Sequence, residues 1–330
     1  MGTGPVSAWS VPSARRYQQP GTEFAPVAVG RDPGKVAPLR PPAAKELGLD
    51  LLVFVLVTFG GSLFAGTLGA LLGLGGGIIV IPVLTLLLGI DIHYAIGASI
   101  VSVIATSSGA AAAFVRDGLT NRRLGLFLEM ATTVGAVTGA FVAVYIGGQT
   151  LYVIFAVVLG YSALAMFRKR HAELPVEVAD HPWSARLNLS SSYPDAVQGK
   201  VVSYNVAGVP LGLGLMYIAG VVSGLLGIGS GALKVPAMDL AMRLPIKVSS
   251  ATSNFMIGVT AVASAGVYFA RGDIVPLVAG PVAVGVLVGA MLGARLMVRL
   301  RSTAIRQVFV VVLAVVALQM AAKGIGLHSA

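Results

Sequence analysis

Apolar runs cover most of the chain beyond Leu51, at about 51–72, 78–89, 95–115, 124–147 and 150–167, and again at about 206–226, 232–242, 249–270, 274–298 and 305–322. Several reach the roughly 20 residues that a helix needs to cross a hydrocarbon core of about 30 Å. The opening run of each half is different. Leu51 to Leu88 as one helix would be close to 60 Å long at about 1.5 Å per residue, about twice what the bilayer requires. It must break, and LLGLGGGIIVIP, Leu71 to Pro82, marks the place: Gly73, Gly75, Gly76 and Gly77 loosen a helix and Pro82 disrupts one. The pattern predicts an all-α polytopic membrane protein of about 8–10 transmembrane or re-entrant segments, with broken helices at the glycines.

The second half repeats the device. At an offset of 154 positions GLLGIGSGALKVP falls on ALLGLGGGIIVIP, aligning Gly73, Gly75, Gly77 and Pro82 with Gly227, Gly229, Gly231 and Pro236. The register continues ungapped through Ser99/Ser253, Thr106/Thr260, Gly135/Gly289 and Gly139/Gly293, the mark of an internal duplication. Residues 51–167 and 206–326 read as two membrane repeats. The polar interval 168–205 joins them, and RLNLSSSYPDAVQGKVVSYNV within it alternates partially around a turn-prone YPDAVQG, so it reads as a β-hairpin or a loop. Residues 1–49, rich in Pro, Gly and Ala without periodicity, read as a disordered tail, and without an early apolar core they read as retained rather than as a signal peptide.

With 56% hydrophobic and 11% charged residues the chain lies outside the balance of a soluble domain. The net charge of +10 is not a nucleic-acid footprint, because its cations sit in the tail, connections and linker with no interleaved aromatics. The absence of cysteine removes thiol chemistry, and four scattered histidines support no metal site. No nucleophile–base pair stands out, so no enzyme chemistry and no cofactor are expected. In the first half Arg116, Arg122, Arg123, Arg168, Lys169 and Arg170 follow the third and fifth runs, whereas in the second Arg243, Lys247, Arg299, Arg301 and Arg306 follow the second and fourth. The cationic bias thus swaps between equivalent loops, as it would if the halves were inverted in the membrane. That plan puts the N-terminal tail outside despite Arg31, Lys35, Arg40 and Lys45; four parallel crossings per half is the alternative.

Irregular backbone survives at membrane depth only where it is buried in protein or lines a cavity, and paired breaks in two repeats point to a central substrate site. A helix beginning at about Ile78 or Ala232 would aim unpaired N–H groups at its break, which favours an anion. The candidate substrate contacts are Gly75, Gly76 and Gly77 of one break and Gly229, Ser230 and Gly231 of the other. Close helix packing is the competing role of such glycines. Lys234 lies in an apolar segment where the first repeat has Val80, and reads as an anion ligand, or else as a cation that snorkels or pairs with Asp239. Ser99 and Ser253, symmetry mates, and Asn254 are candidate donors to an oxyanion; bonding to backbone or to a neighbouring helix is the alternative. Glu129 and Asp239 are candidates for proton coupling, with a membrane-edge position and an ion pair to Arg243 as their respective alternatives. His93, beside Asp91, reads as a solvated loop residue.

The paired segments LLGLGGGIIVIP and LLGIGSGALKVP, with SATSNFMIGVTA after the second, resemble the TauE/SafE family of sulfite exporters, also called the 4-toluene sulfonate uptake permease family. The resemblance spans about 51–322. It implies a multi-pass permease of the bacterial inner membrane that moves sulfite, organosulfonates or related sulfur anions, driven by the proton motive force. The long tail and the hairpin-like linker depart from the family's core. The reading is therefore a secondary transporter of small anions, with a passive anion channel or a non-transport scaffold or enzyme subunit as alternatives.

Overall fold

The computed structural model describes residues 51–168 and 182–325; the expectations for the tail 1–49, and for Lys169 and Arg170, lie outside the described residues. Each apolar run becomes a helix. In the first half these are α1 (Leu51–Leu72), α2 (Gly77–Pro82) continued by a π-helical turn (Val83–Leu87), α3 (Ile92–Arg116), α4 (Arg122–Ala143) and α5 (Gly148–Arg168). After the short α6 (Pro182–Arg186) and the strands β1 (Ser191–Asp195) and β2 (Lys200–Tyr204), the second half gives α7 (Val209–Leu226), α8 (Gly231–Pro236) with a π-helical turn (Ala237–Ala241), α9 (Ile246–Ala270), α10 (Pro276–Arg299) and α11 (Ser302–Gly324). The same elements recur in the same order, and α3 and α9 begin and end at positions that match at the 154-residue offset. Among the described residues eight helices, α1, α3, α4, α5, α7, α9, α10 and α11, are long and apolar enough to cross a membrane.

The helices pack across the halves rather than within them. α1 lies against α10, and α4 against α7. Small residues one turn apart make both contacts possible: Gly285, Gly289 and Gly293 of α10 face Ser62, Leu63 and Thr67 of α1, and Gly220 and Gly224 of α7 face Thr132 and Ala136 of α4. In lipid no hydrophobic drive pulls helices together, so close backbone approach and dispersion must do so. α3 and α9 cross the centre side by side and antiparallel, with Gly97 against Asp273 at one end and Ser107 bonded to the Asn254 carbonyl (2.5 Å) further along.

The segments after the breaks double back. The Ala207 N–H, just before α7, donates to the Met242 carbonyl at 3.1 Å, just past the second π turn, so this unit leaves on the side it entered. Likewise Gly61 of α1 faces Val83 of the first π turn. The two returns open toward opposite ends of α11. Lys323 Nζ, near its C-terminus, donates to the Thr85 carbonyl (2.6 Å), and Arg306 Nη2, near its N-terminus, donates to Asp239 Oδ1 (2.6 Å). Those two α11 residues lie about 25 Å apart along the axis at ~1.5 Å per residue.

The hairpin is present, with Ser191 opposite Tyr204 and Asp195 opposite Lys200. It caps the end of the bundle where α9 starts and α3 stops: Lys247 Nζ donates to Asp195 Oδ1 at 3.0 Å, and Asn121, the N-cap of α4, donates to the Leu189 carbonyl (2.7 Å) and the Tyr204 hydroxyl (3.1 Å). Burial pushes the Asp195 carboxyl up, but the Lys247 ammonium and the N–H groups of Val197 and Gln198 hold it below its ordinary value. Arg116, Arg122 and Arg123, Arg243 and Lys247, and Arg299, Arg301 and Arg306 all gather at this end.

Candidate functional site

The two breaks meet at the centre of the bundle. Gly73, Gly75 and Gly76 have φ of 75°, 79° and 72°, and Gly227, Gly229 and Ser230 have φ of 63°, 80° and 55°, left-handed conformations that glycine adopts without strain. Gly231 abuts the Gly73 carbonyl and Leu74, and Gly77 abuts Ile228. Two bulky side chains at equivalent positions, Val103 of α3 and Ile257 of α9, fill the remaining space. A Cβ on Gly75 would stand 2.9 Å from the Ile257 side chain, and one on Gly229 would stand 2.7 Å from Val103 and 2.8 Å from Ile257. Sequence reasoning passed over Val103 and Ile257, although their matching places in the duplicated third run were the signal available.

At the central place where the paired breaks were expected to hold substrate, the two tips touch each other across Val103 and Ile257, because glycine backbones can pack that closely. An open depression of about 290 Å³ instead lies at the hairpin end, lined by Asp117, Pro194, Asp195, Lys200 and Val298 among others.

The candidate hydroxyls bind the breaks themselves. Ser99 Oγ donates to the Gly227 carbonyl at 2.8 Å and Ser253 Oγ to the Gly73 carbonyl at 2.7 Å, so each repeat's serine holds the other repeat's broken helix. Asn254 Nδ2 donates to the Ala70 carbonyl (2.7 Å), and at the equivalent place in the other half the Tyr268 hydroxyl donates to Gly224 (2.7 Å). These carbonyls have lost their helical partners and lipid offers none, so side chains must supply donors. Ser230 differs. It sits at the start of α8, 1% exposed, and its hydroxyl has no hydrogen-bond partner.

Lys234 and Glu129, 105 positions apart, form an ion pair at 3.0 Å with both side chains buried. Lys234 Nζ also donates to Thr260 Oγ1 (2.7 Å), and Thr260 in turn donates to Glu129 Oε1 (2.5 Å). Thr132 donates to Glu129 Oε2 (2.7 Å) and Thr133 to Oε1 (3.2 Å). Lys234 therefore pairs with Glu129 rather than with Asp239. Asp239 pairs with Arg306 rather than Arg243, near one end of α11, because the π turn carries it away from the breaks. His93 is in the first turn of α3, where Asp91 caps the helix by accepting from the His93 N–H at 2.9 Å. Among the described residues no cluster of His, Asp and Glu could hold a metal ion.

A bundle of long apolar helices, broken twice at its centre and carrying a buried ion pair beside the breaks, defines a polytopic membrane protein, and its relatives are membrane transporters. The model of the sulfite exporter TauE/SafE family matches residues 58–320, and the chain belongs to that family. It is 32% identical over 210 residues to the "Probable membrane transporter protein YunE" of Bacillus subtilis (strain 168), covering 62% of this chain and 73% of that protein. A "Probable membrane transporter protein" of Xylella fastidiosa (strain 9a5c) is 28% identical over 226 residues, 67% of this chain and 76% of its own length. The "Probable membrane transporter protein YdhB" of B. subtilis is 28% identical over 236 residues, 72% and 86% of the two chains. No solved structure matches.

Proposed function

We propose that this membrane transporter is a secondary carrier of small oxyanions, of which sulfite, organosulfonates and related sulfur anions are the best fit, in a bacterial inner membrane. Its two halves act as inverted repeats, and its substrate sits where the breaks meet. The observation that carries the reading is the meeting of two glycine breaks beside a buried, unpartnered Ser230 hydroxyl, with the Lys234 ammonium in the helical segment that follows. Helix starts, a free hydroxyl and an ammonium are all donors, and donors select an anion. The family's name supplies the sulfur oxyanion class.

In the conformation described Val103 and Ile257 lie against Gly75 and Gly229, so this reading requires those side chains to move aside when an anion enters. The inverted plan is supported by the returns that open toward opposite ends of α11. The end that collects the cations and the hairpin is cytoplasmic by the positive-inside rule. In liposomes, uptake of labelled sulfite, sulfate and methanesulfonate by the wild type should be saturable and selective, and Lys234→Ala and Gly75→Leu should abolish it. Equal flux in all three proteins would remove the assigned site.

A further inference from the structure

The Glu129 carboxylate sits at Lys234 with both oxygens occupied: Oε2 accepts from the ammonium and from Thr132, and Oε1 accepts from Thr260 and Thr133. We propose that Glu129 is an internal stand-in for the transported oxyanion, so that substrate and carboxylate compete for one cation and Glu129 takes a proton whenever the anion displaces it. This rests on the anion-carrier reading above and adds the residue that couples the anion to a proton.

Charge balance carries the step. Lys234 is 0% exposed and Glu129 6%, and the pair is neutral as it stands. Bringing a monoanion to Lys234 while Glu129 stays ionised leaves one uncompensated negative charge inside the membrane, where neither water nor lipid can solvate it. One proton on Glu129 restores neutrality: the carboxylate becomes a carboxylic acid, the anion takes its place beside the ammonium, and no covalent bond to the substrate forms or breaks.

The surroundings suit both states. Among the described residues the charged group that faces Glu129 is Lys234 of α8; α9 contributes the Thr260 hydroxyl, α4 itself contributes Thr132 and Thr133, and α7 presents Gly220 against the Thr132 backbone. A protonated Glu129 keeps Thr132 and Thr133, three and four residues on along its own helix, as partners away from Lys234. A sulfonate or sulfite group offers two oxygens at a spacing close to that of a carboxylate. It can therefore accept from Lys234 and Thr260 in the same fork that Glu129 fills now. The symmetry-related places hold Val80 of the first repeat, matching Lys234, and Ala283 of the second, matching Glu129, so the duplicated architecture holds one such exchange site rather than two.

The test uses the purified full chain in detergent and methanesulfonate, which stays ionised across the range and so brings no proton of its own. In weakly buffered solution, binding should consume one proton per anion, and affinity should fall about tenfold per pH unit toward alkaline pH once Glu129 is ionised. Glu129→Gln should bind methanesulfonate more tightly than the wild type, with no proton uptake and a flat pH profile. Methanesulfonate binding by the wild type without proton uptake overturns the proposal while leaving the carrier reading intact, and this arm does not depend on how the variant folds. Proton uptake that persists in Glu129→Gln also overturns it. A wild type that binds neither methanesulfonate nor sulfite overturns the anion reading and this proposal with it.

Discussion

Ser99 of α3 donates to the carbonyl of Gly227, 128 positions later in the chain, at 2.8 Å, in a site with no water-accessible surface. Its counterpart, Ser253, does the same for Gly73 at 2.7 Å. Two hydroxyls thereby fasten each half of the protein to the broken helix of the other. Replacing either by alanine leaves a buried carbonyl without a donor, a loss of about 1–3 kcal/mol. Thermal unfolding in detergent should show each single variant melting lower than the wild type, and Ser99→Ala/Ser253→Ala lower still. Unchanged melting in the double variant would contradict the role given to these bonds.

Gly229 is held at φ 80° with Val103 and Ile257 against it. Gly229→Ala meets both the left-handed penalty and a steric one, and overpacking alone costs about 1–3 kcal/mol. Pairing it with Val103→Ala removes the 2.7 Å contact but leaves the one to Ile257 at 2.8 Å and the backbone strain. Melting of the double variant should therefore fall between those of Gly229→Ala and the wild type.

Breaking the Lys234–Glu129 pair from one side leaves a lone buried charge, which costs about 3–5 kcal/mol where the group cannot neutralise itself. Lys234→Met and Glu129→Gln should each lower stability more than half as much as the two together, a non-additive cycle that unfolding midpoints can read. Additive losses would mean that the two residues do not share one charge balance.

The absence of native cysteine makes sidedness directly measurable. Tyr145, 79% exposed between α4 and α5, and Gln198 in the hairpin turn belong to opposite ends of the bundle. In intact cells a membrane-impermeant maleimide should label Tyr145→Cys and spare Gln198→Cys, and inverted vesicles should reverse the result. Labelling of both from one side would overturn the orientation.

Asp195 is held below its ordinary value when folded, so its contribution is present above its unfolded pKa, near 3.9, and is lost as pH falls through the folded value. Docking of the hairpin onto Lys247 should weaken only on strong acidification. Protease cleavage between Pro182 and Tyr204 should rise below about pH 4, and at neutral pH in Lys247→Met. Cleavage that is indifferent to both changes would show that the ion pair does not hold the hairpin.

Much of this was legible in the chain. The runs, the breaks at Gly73–Gly77 and Gly227–Gly231, the hairpin and the offset of 154 are statements about local composition and order, and lipid leaves helical backbone few alternatives. Single residues were harder. Ser99, Ser253 and Lys234 stood out as polar groups in apolar runs, but not what they would touch. Asp239 was misjudged because Arg243 is near in sequence, whereas Arg306 is near in space.

The sequence by itself determined where helices must form and where they must fail, because hydrophobicity and glycine act on the nearest few residues. Only the tertiary structure decided that the breaks close on each other around Val103 and Ile257, that each serine bonds the opposite half, and that Lys234 answers to Glu129. Those relations join positions more than a hundred residues apart, and a buried charge or an orphaned carbonyl takes whichever partner the packing of the bundle brings within reach.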